Sequence, residues 1–223
     1  MTARNLARVG ALAGVLSVIV TFVGPGIHGG LPDTVTEAGV RSYIASANAV
    51  QTGIGNFVEL FGLLLLLVFA AFLYSTVREA DAARRSWPAI AALAGAAVYV
   101  AVGAVEIGAQ QAMVEWGKAG ADAKTTLGLY IFISDAFPLS FEFGALFLAG
   151  IGVALLGGRG PLRLLALSAL AVAIVLFASG LIGAASAGHS FLSQIVGTLL
   201  FHLWTLVAGV YFVIRPSPSS PRP

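Results

Sequence analysis

The sequence predicts an all-α, polytopic membrane helical bundle of six transmembrane helices with both termini cytoplasmic. Three observations lead there. Of 223 residues, 58% are hydrophobic and only 10% charged, where a soluble domain carries about 25% charged residues; the mean hydropathy is +0.95. Six apolar runs recur between short polar stretches, most of them near the ~20 residues that a hydrocarbon core demands. The basic residues divide unevenly between the two sides those runs define. With both termini inside, Arg4, Arg8, Arg78, Arg84, Arg85, Arg159, Arg163, Arg215 and Arg222 are cytoplasmic, and only Arg41, Lys118 and Lys124 lie opposite. That is the positive-inside arrangement. Residues 1–214 then form one transmembrane domain, and the Pro/Ser-rich residues 215–223 a disordered cytoplasmic tail.

Composition excludes several function classes. No cysteine is present, so there is no disulfide framework, thiolate metal site or cysteine nucleophile. The net charge is +2 and its basic residues are spread over several membrane boundaries, which argues against a nucleic-acid partner and for the lipid bilayer as the main surroundings.

The first span is predicted at residues 9–23, behind the basic Arg4 and Arg8. No small-x-small cleavage site follows it, so it is read as a span and not a signal peptide. Gly10, Gly14, Ser17 and Thr21 give it a small-residue face suited to close helix packing. Residues 33–50 are too polar for lipid. Thr34-Val-Thr-Glu37 is a capping-box pattern that predicts an extracytoplasmic helical segment. Span 2 follows at 51–74, with Asn48, Thr52, Asn56 and Glu59 on one arc at 100° per residue. After a charged loop, Ser86, Trp87 and Pro88 supply a cap, an interfacial aromatic and an N1 proline for span 3 at 88–113. Tyr99, Glu106, Gln110 and Met113 share one face of it.

Span 4, at 127–156, contains Ser134-Asp-Ala-Phe-Pro-Leu-Ser-Phe-Glu142. Asp135 and Glu142 are seven residues apart and point to the same side within roughly 20°. Pro138 lies between them and cannot donate to the Ser134 carbonyl, which predicts a kink. An intramembrane acid costs about 2.5–3.5 kcal/mol on insertion scales, so such residues are functional candidates by default. Span 5 at 162–185 opens at Pro161 after a Gly-rich turn, and Ser179, Gly183 and Ala187 give it a second small-residue face. Span 6 runs over 191–214, with Thr198, His202 and Thr205 on one side.

Depths follow at ~1.5 Å per residue. Glu59, Glu106 and Asp135 are expected roughly 5–10 Å from mid-membrane toward the outer side. Glu142 and His202 fall near the midplane, Asn56 and Gln110 further out, and His28 and His189 at the outer boundary. Leucine and valine close the cytoplasmic halves. Each span running inward carries one ionisable group at comparable depth: Glu59, Glu142 and His202. Phe57-Val-Glu-Leu-Phe-Gly62 also echoes Phe141-Glu-Phe-Gly144, as three hairpins of common ancestry would.

The run Tyr43-Ile-Ala-Ser-Ala-Asn-Ala-Val-Gln, followed by the span ending Ala71-Phe-Leu-Tyr-Ser-Thr-Val-Arg78, resembles a bacterial family of small uncharacterised six-helix integral membrane proteins. The resemblance is clearest in the first third of the chain. It implies a six-helix bundle in the cytoplasmic (inner) membrane, and it carries no activity and no site residues.

Chemically, the polar groups predict an outward-facing acidic pocket that binds or moves a small cation, metal ion or proton-coupled solute. Asp135 and Glu142 are its expected centre, with Glu59, Glu106 and His202 supporting and Asn56 and Gln110 flanking. Glu59, Glu106, Asp135, Glu142 and His202 are also the candidate ligands for a divalent metal ion as cofactor. No HExxH or ExxH motif accompanies them, and no GxSxG elbow is present, so a metal-dependent enzyme on a lipid-like substrate ranks behind binding. A structural reading stands beside these. The acids are then protonated hydrogen-bonders, and the small-residue faces of spans 1 and 5 hold a second copy or a membrane partner.

Overall fold

The computed structural model describes residues 2–29, 31, 36–80, 87–186 and 191–215. Among them there are seven helices and no strands: α1 (Ala3–His28), α2 (Glu37–Ser46), α3 (Ala49–Ala80), α4 (Trp87–Lys118), α5 (Ala123–Leu155), α6 (Pro161–Ala185) and α7 (Phe191–Ile214). All but α2 are long and apolar enough to cross a membrane. The chain is a multi-pass membrane protein. Residues 216–223, read as a tail, and the candidates Thr34, Ala187 and His189 lie outside the described residues.

α1, α3, α4 and α5 begin or end beyond the predicted apolar runs, several of them at local caps, whereas α6 and α7 coincide with the runs predicted at 162–185 and 191–214 to within a residue. Thr2 caps α1, accepting from Asn5 N at 3.4 Å. At the other end α1 continues through Pro25 to His28. A proline costs the helix one donor, yet Gly29 N still closes on the Pro25 carbonyl at 2.9 Å, and Gln51 Nε2 donates to the Ile27 carbonyl at 2.5 Å. Thr36 caps α2, accepting from Gly39 N at 3.1 Å. Asn48 begins α3, its Oδ1 accepting from Val50 N at 3.0 Å and Gln51 N at 3.2 Å, so the connection reads as a ten-residue helix, a short break and then the span. Asp122 caps α5, accepting from Lys124 N and Thr125 N at 2.9 Å each.

Packing closes the six long helices into a ring. α1 lies on α3, α3 on α4, α4 on α5, α5 on α6, α6 on α7, and α7 returns to α1; α5 also touches α3 and α7. Glycines permit the close approaches. A methyl at Gly10 or Gly14 would meet Phe72 or Phe69 of α3 at 2.6–2.7 Å, and one at Gly95 would meet the α5 backbone at 2.7 Å. The small-residue faces of spans 1 and 5 are thus used inside the chain: α1 beds on α3 and α7, and Gly180 and Gly183 of α6 bed on Pro138 of α5. Half of the ring is filled with apolar side chains, among them Leu66, Phe69, Phe147, Phe201 and Trp204, all buried. Trp204 Nε1 finds the Leu165 carbonyl at 3.2 Å. Large side chains such as Phe57, Ile174 and Leu192 are exposed around the outside, as a lipid-facing surface requires.

At one end the ring is uneven. Gly183 packs on Pro138 and α6 ends at Ala185, so the first 13 residues of α5 run beyond α6 by roughly 20 Å at 1.5 Å per residue. By the same rise, α1 ends beside Gly55, leaving the start of α3 roughly 9 Å proud. Helix α2 lies against this projecting part. Its Val40 and Ile44 are buried with Met113 of α4 and Tyr130 of α5, and Lys118 Nζ donates to the Ala45 carbonyl at 3.0 Å. Asp135 stands level with the end of α6.

Candidate functional site

Polar side chains converge where α1, α3 and α4 meet, just inside the α2 end. The inner arc of α3 presents Thr52, Asn56 and Glu59, and the inner face of α4 presents Tyr99, Glu106 and Gln110, as the helical spacing requires. Thr52, Asn56 and Gln110 are buried. Asn56 Nδ2 donates across the seam to Gln111 Oε1 at 3.2 Å and to the Ile107 carbonyl at 3.5 Å. Gln111 in turn donates to Glu115 Oε1 at 2.5 Å. Gln110 Nε2 donates to the Tyr43 hydroxyl at 3.2 Å, which ties α2 to the seam, and lies 3.5 Å from His28 Nδ1.

His28 comes from the far end of α1. Its side chain is 5% exposed, and its Nε2 faces Glu59 Oε2 at 3.5 Å, with Glu59 24% exposed. The pair is within ion-pair range but not aligned as a hydrogen bond, so Nε2 has no partner. Nδ1 contacts the Gly29 carbonyl. A carbonyl only accepts, so Nδ1 is the donor in that contact. Glycines bring the pair together: a methyl on Gly24 would strike Glu59 Cβ at 2.7 Å, and one on Gly55 would strike His28 Cδ2 at 2.5 Å.

His202 repeats this arrangement deeper in the ring. It is 7% exposed, and its Nδ1 donates to the Thr198 carbonyl at 2.8 Å. Its ring sits edge-on to Phe22 of α1, centroids 4.9 Å apart, and to Phe201 at 5.4 Å. Tyr99 of α4 reaches the other side of Phe201 at 5.0 Å.

The seam is rich in acceptors and short of donors. His28 Nε2, Asn56 Oδ1 and Glu106 Oε1 are buried with no hydrogen-bond partner. Asn56 Oδ1 is an acceptor, and the Glu106 and Glu59 carboxyls add further acceptor oxygens. A buried unpaired polar atom costs about 1–3 kcal/mol.

Of the seven site residues predicted from sequence, Glu59, Glu106, Asn56 and Gln110 lie on the faces of α3 and α4 at the seam, and His202 packs against Phe22 of α1 and Phe201. Asp135 and Glu142 do not join them. Asp135 is exposed and Glu142 is half-buried on the α6 side of α5, where Glu142 Oε1 lies 2.8 Å from the position a methyl on Gly180 would take. His28 was placed at a boundary in the sequence. Its signal was spacing: it follows Thr21 by seven residues and Gly24 by four, on the face of α1 that packs on α3. Among the described residues, no three His, Asp or Glu side chains cluster closely enough to hold a metal ion. No family model, curated protein or solved structure matches this chain.

Proposed function

We propose that this membrane protein binds a small hydrogen-bond-donating cation of the ammonium type in the α1–α3–α4 seam. The supporting observation is the set of buried, unpartnered polar atoms at His28, Asn56 and Glu106 beside Glu59. An ammonium group offers several N–H donors and a positive charge, and so matches both deficits at once. The positive-inside bias of the arginines puts the α2 end outside, which makes the seam outward-facing and α2 its cover. In this reading Asp135 and Glu142 form a separate acidic side of α5, toward α6.

The test is thermal unfolding of the purified protein with methylammonium, tetramethylammonium or sodium chloride at matched ionic strength. A ligand bound only by the native state adds about 2.7 kcal/mol of stability at a hundred times its Kd. Methylammonium should raise Tm, and Glu59→Gln and Glu106→Gln should abolish the rise. Tetramethylammonium has no N–H and should do nothing. An equal response to both amines, or a response unchanged in both variants, refutes the reading.

A further inference from the structure

Two contacts between α3 and α4 bracket the acids of the seam. On the side nearer α2, Asn56 Nδ2 reaches the Ile107 carbonyl at 3.5 Å. On the far side the Leu63 side chain lies over Gly103, its Cδ1 2.7 Å from the position a methyl there would take. Leu63 follows Glu59 by four residues and Gly103 precedes Glu106 by three, so this contact stands about one turn, roughly 5–6 Å, beyond both carboxyls. Thr21 of α1 fills the place beside Gly62 of α3, the turn after the one where Gly24 meets Glu59. Leu63 is itself buried, 6% exposed. The seam therefore ends on a leucine that all three helices hold in place. We propose that Leu63, seated on Gly103, is the specificity-determining residue of the seam and limits its cation to a short primary alkylammonium of methylammonium size. This size limit rests on the cation reading above.

An ammonium head donating to Asn56 Oδ1 and the two carboxyls leaves its carbon chain two directions. Toward α2 stand Thr52 and Gln110, both buried, and the Tyr43 hydroxyl that Gln110 bonds at 3.2 Å. A hydrocarbon chain there would take buried polar groups from their partners, which is costly. Away from α2 stands Leu63, with the buried Leu66 and Phe69 beyond it. That surface is apolar and suits a methyl group. Each further methylene needs space the leucine already fills, and a packed interior yields such space at a cost. Gly103 matters because it has no side chain: the tip of Leu63 crosses onto α4 there and leaves no gap between the helices. Shortening the leucine hands the space to the ligand. Leu63→Val removes one carbon and Leu63→Ala three. An apolar void of this kind accepts an apolar group, and each methylene buried in it raises affinity about fourfold.

The experiment is thermal unfolding of the purified full-length protein with methyl-, ethyl-, propyl- and butylammonium chloride at matched ionic strength. Each shift is taken from the same variant's ligand-free Tm, so a loss of stability on shortening Leu63 does not enter. In wild type the shift should fall with chain length, butylammonium binding about tenfold or more weakly than methylammonium. Leu63→Ala should reverse that order, binding butylammonium about tenfold or more tightly than wild type does. Leu63→Val should admit ethylammonium and still exclude butylammonium, and it decides the matter if Leu63→Ala does not fold. Leu148→Ala is the control. It opens a comparable void on α5, next to Phe147, whose backbone N meets the Gly95 position of α4, roughly 16 Å along α4 from Glu106; it should keep the wild-type order. A wild type that binds all four amines alike overturns the size limit, as does a wild-type order retained by the Leu63 variants, or an equal butylammonium gain in Leu148→Ala. Each of these leaves the cation reading in place. A wild type that ignores methylammonium sinks the cation reading and the size limit with it.

Discussion

Replacing Gly55 with alanine forces α1 away from α3. The new methyl would lie 2.5 Å from His28 Cδ2 and 2.8 Å from the Gly24 carbonyl oxygen. The imidazole can turn, but the carbonyl belongs to a helix backbone. Moving it out to the 3.4 Å at which ordinary contact begins requires a retreat of about 0.6 Å. Overpacking of that kind costs about 1–3 kcal/mol, while exchanging a mid-helix glycine for alanine returns about 1 kcal/mol of helix propensity. Gly108→Ala is the matched control, since a methyl there meets nothing within 4 Å. The propensity gain is common to both, so Gly55→Ala should be less stable than Gly108→Ala by about 1–3 kcal/mol. Reversible unfolding in mixed micelles measures the gap. The same retreat widens the 3.5 Å approach of His28 to Glu59, so methylammonium should stabilise Gly55→Ala less than Gly108→Ala. Equal stabilities, or Gly55→Ala the more stable, would refute the packing argument.

Two further outcomes follow. Glu106→Met keeps the volume and removes a buried acceptor without a partner, so it should raise ligand-free stability by about 1–3 kcal/mol while losing the methylammonium shift; a drop in both would show Glu106 to be a structural hydrogen-bonder. At the α4–α5 turn, the Asp122 carboxyl is held below its ordinary pKa, first by the Thr125 hydroxyl and then by backbone N–H groups. A depressed folded-state value contributes stability that is present above the unfolded value and lost as pH falls through the folded one. Wild-type stability should therefore exceed that of Asp122→Ala at neutral pH, and the difference should shrink in acid below the ordinary carboxylate range; a difference that persists in strong acid would refute this.

Much of the fold is legible in residue order, because membrane spans announce themselves by length and apolarity. The inner faces of α3 and α4 are legible too, since Asn56 with Glu59, and Tyr99 with Glu106 and Gln110, follow helical spacing. What spacing cannot supply is the neighbour. Asp135 and Glu142 do share a side, as seven residues require, but the glycines of α6 set Pro138 and Glu142 against that helix and not toward the seam. His28 is hidden for another reason: Gly24-Pro-Gly ahead of it and Gly29-Gly30 behind read as a turn, whereas tertiary packing on Gly55 carries the helix through Pro25. The approach of His28 to Glu59 joins helices that no local pattern pairs.

The uneven rim has a bearing on where such a protein can sit. Helices α6 and α7, of 25 and 24 residues, match a slab of roughly 36–38 Å at 1.5 Å per residue, whereas α4 and α5, of 32 and 33 residues, run to roughly 48–50 Å. No flat bilayer suits both. Lipid fitted to the short side leaves the α4–α5 tip and its α2 cover standing in water. Lipid thick enough for the long side would climb over the unpaired Asp135 and the end of α1, and cut the His28 side of the seam off from solvent. Bilayer thickness is then a variable that decides how wet the seam is, without any change in the helices themselves.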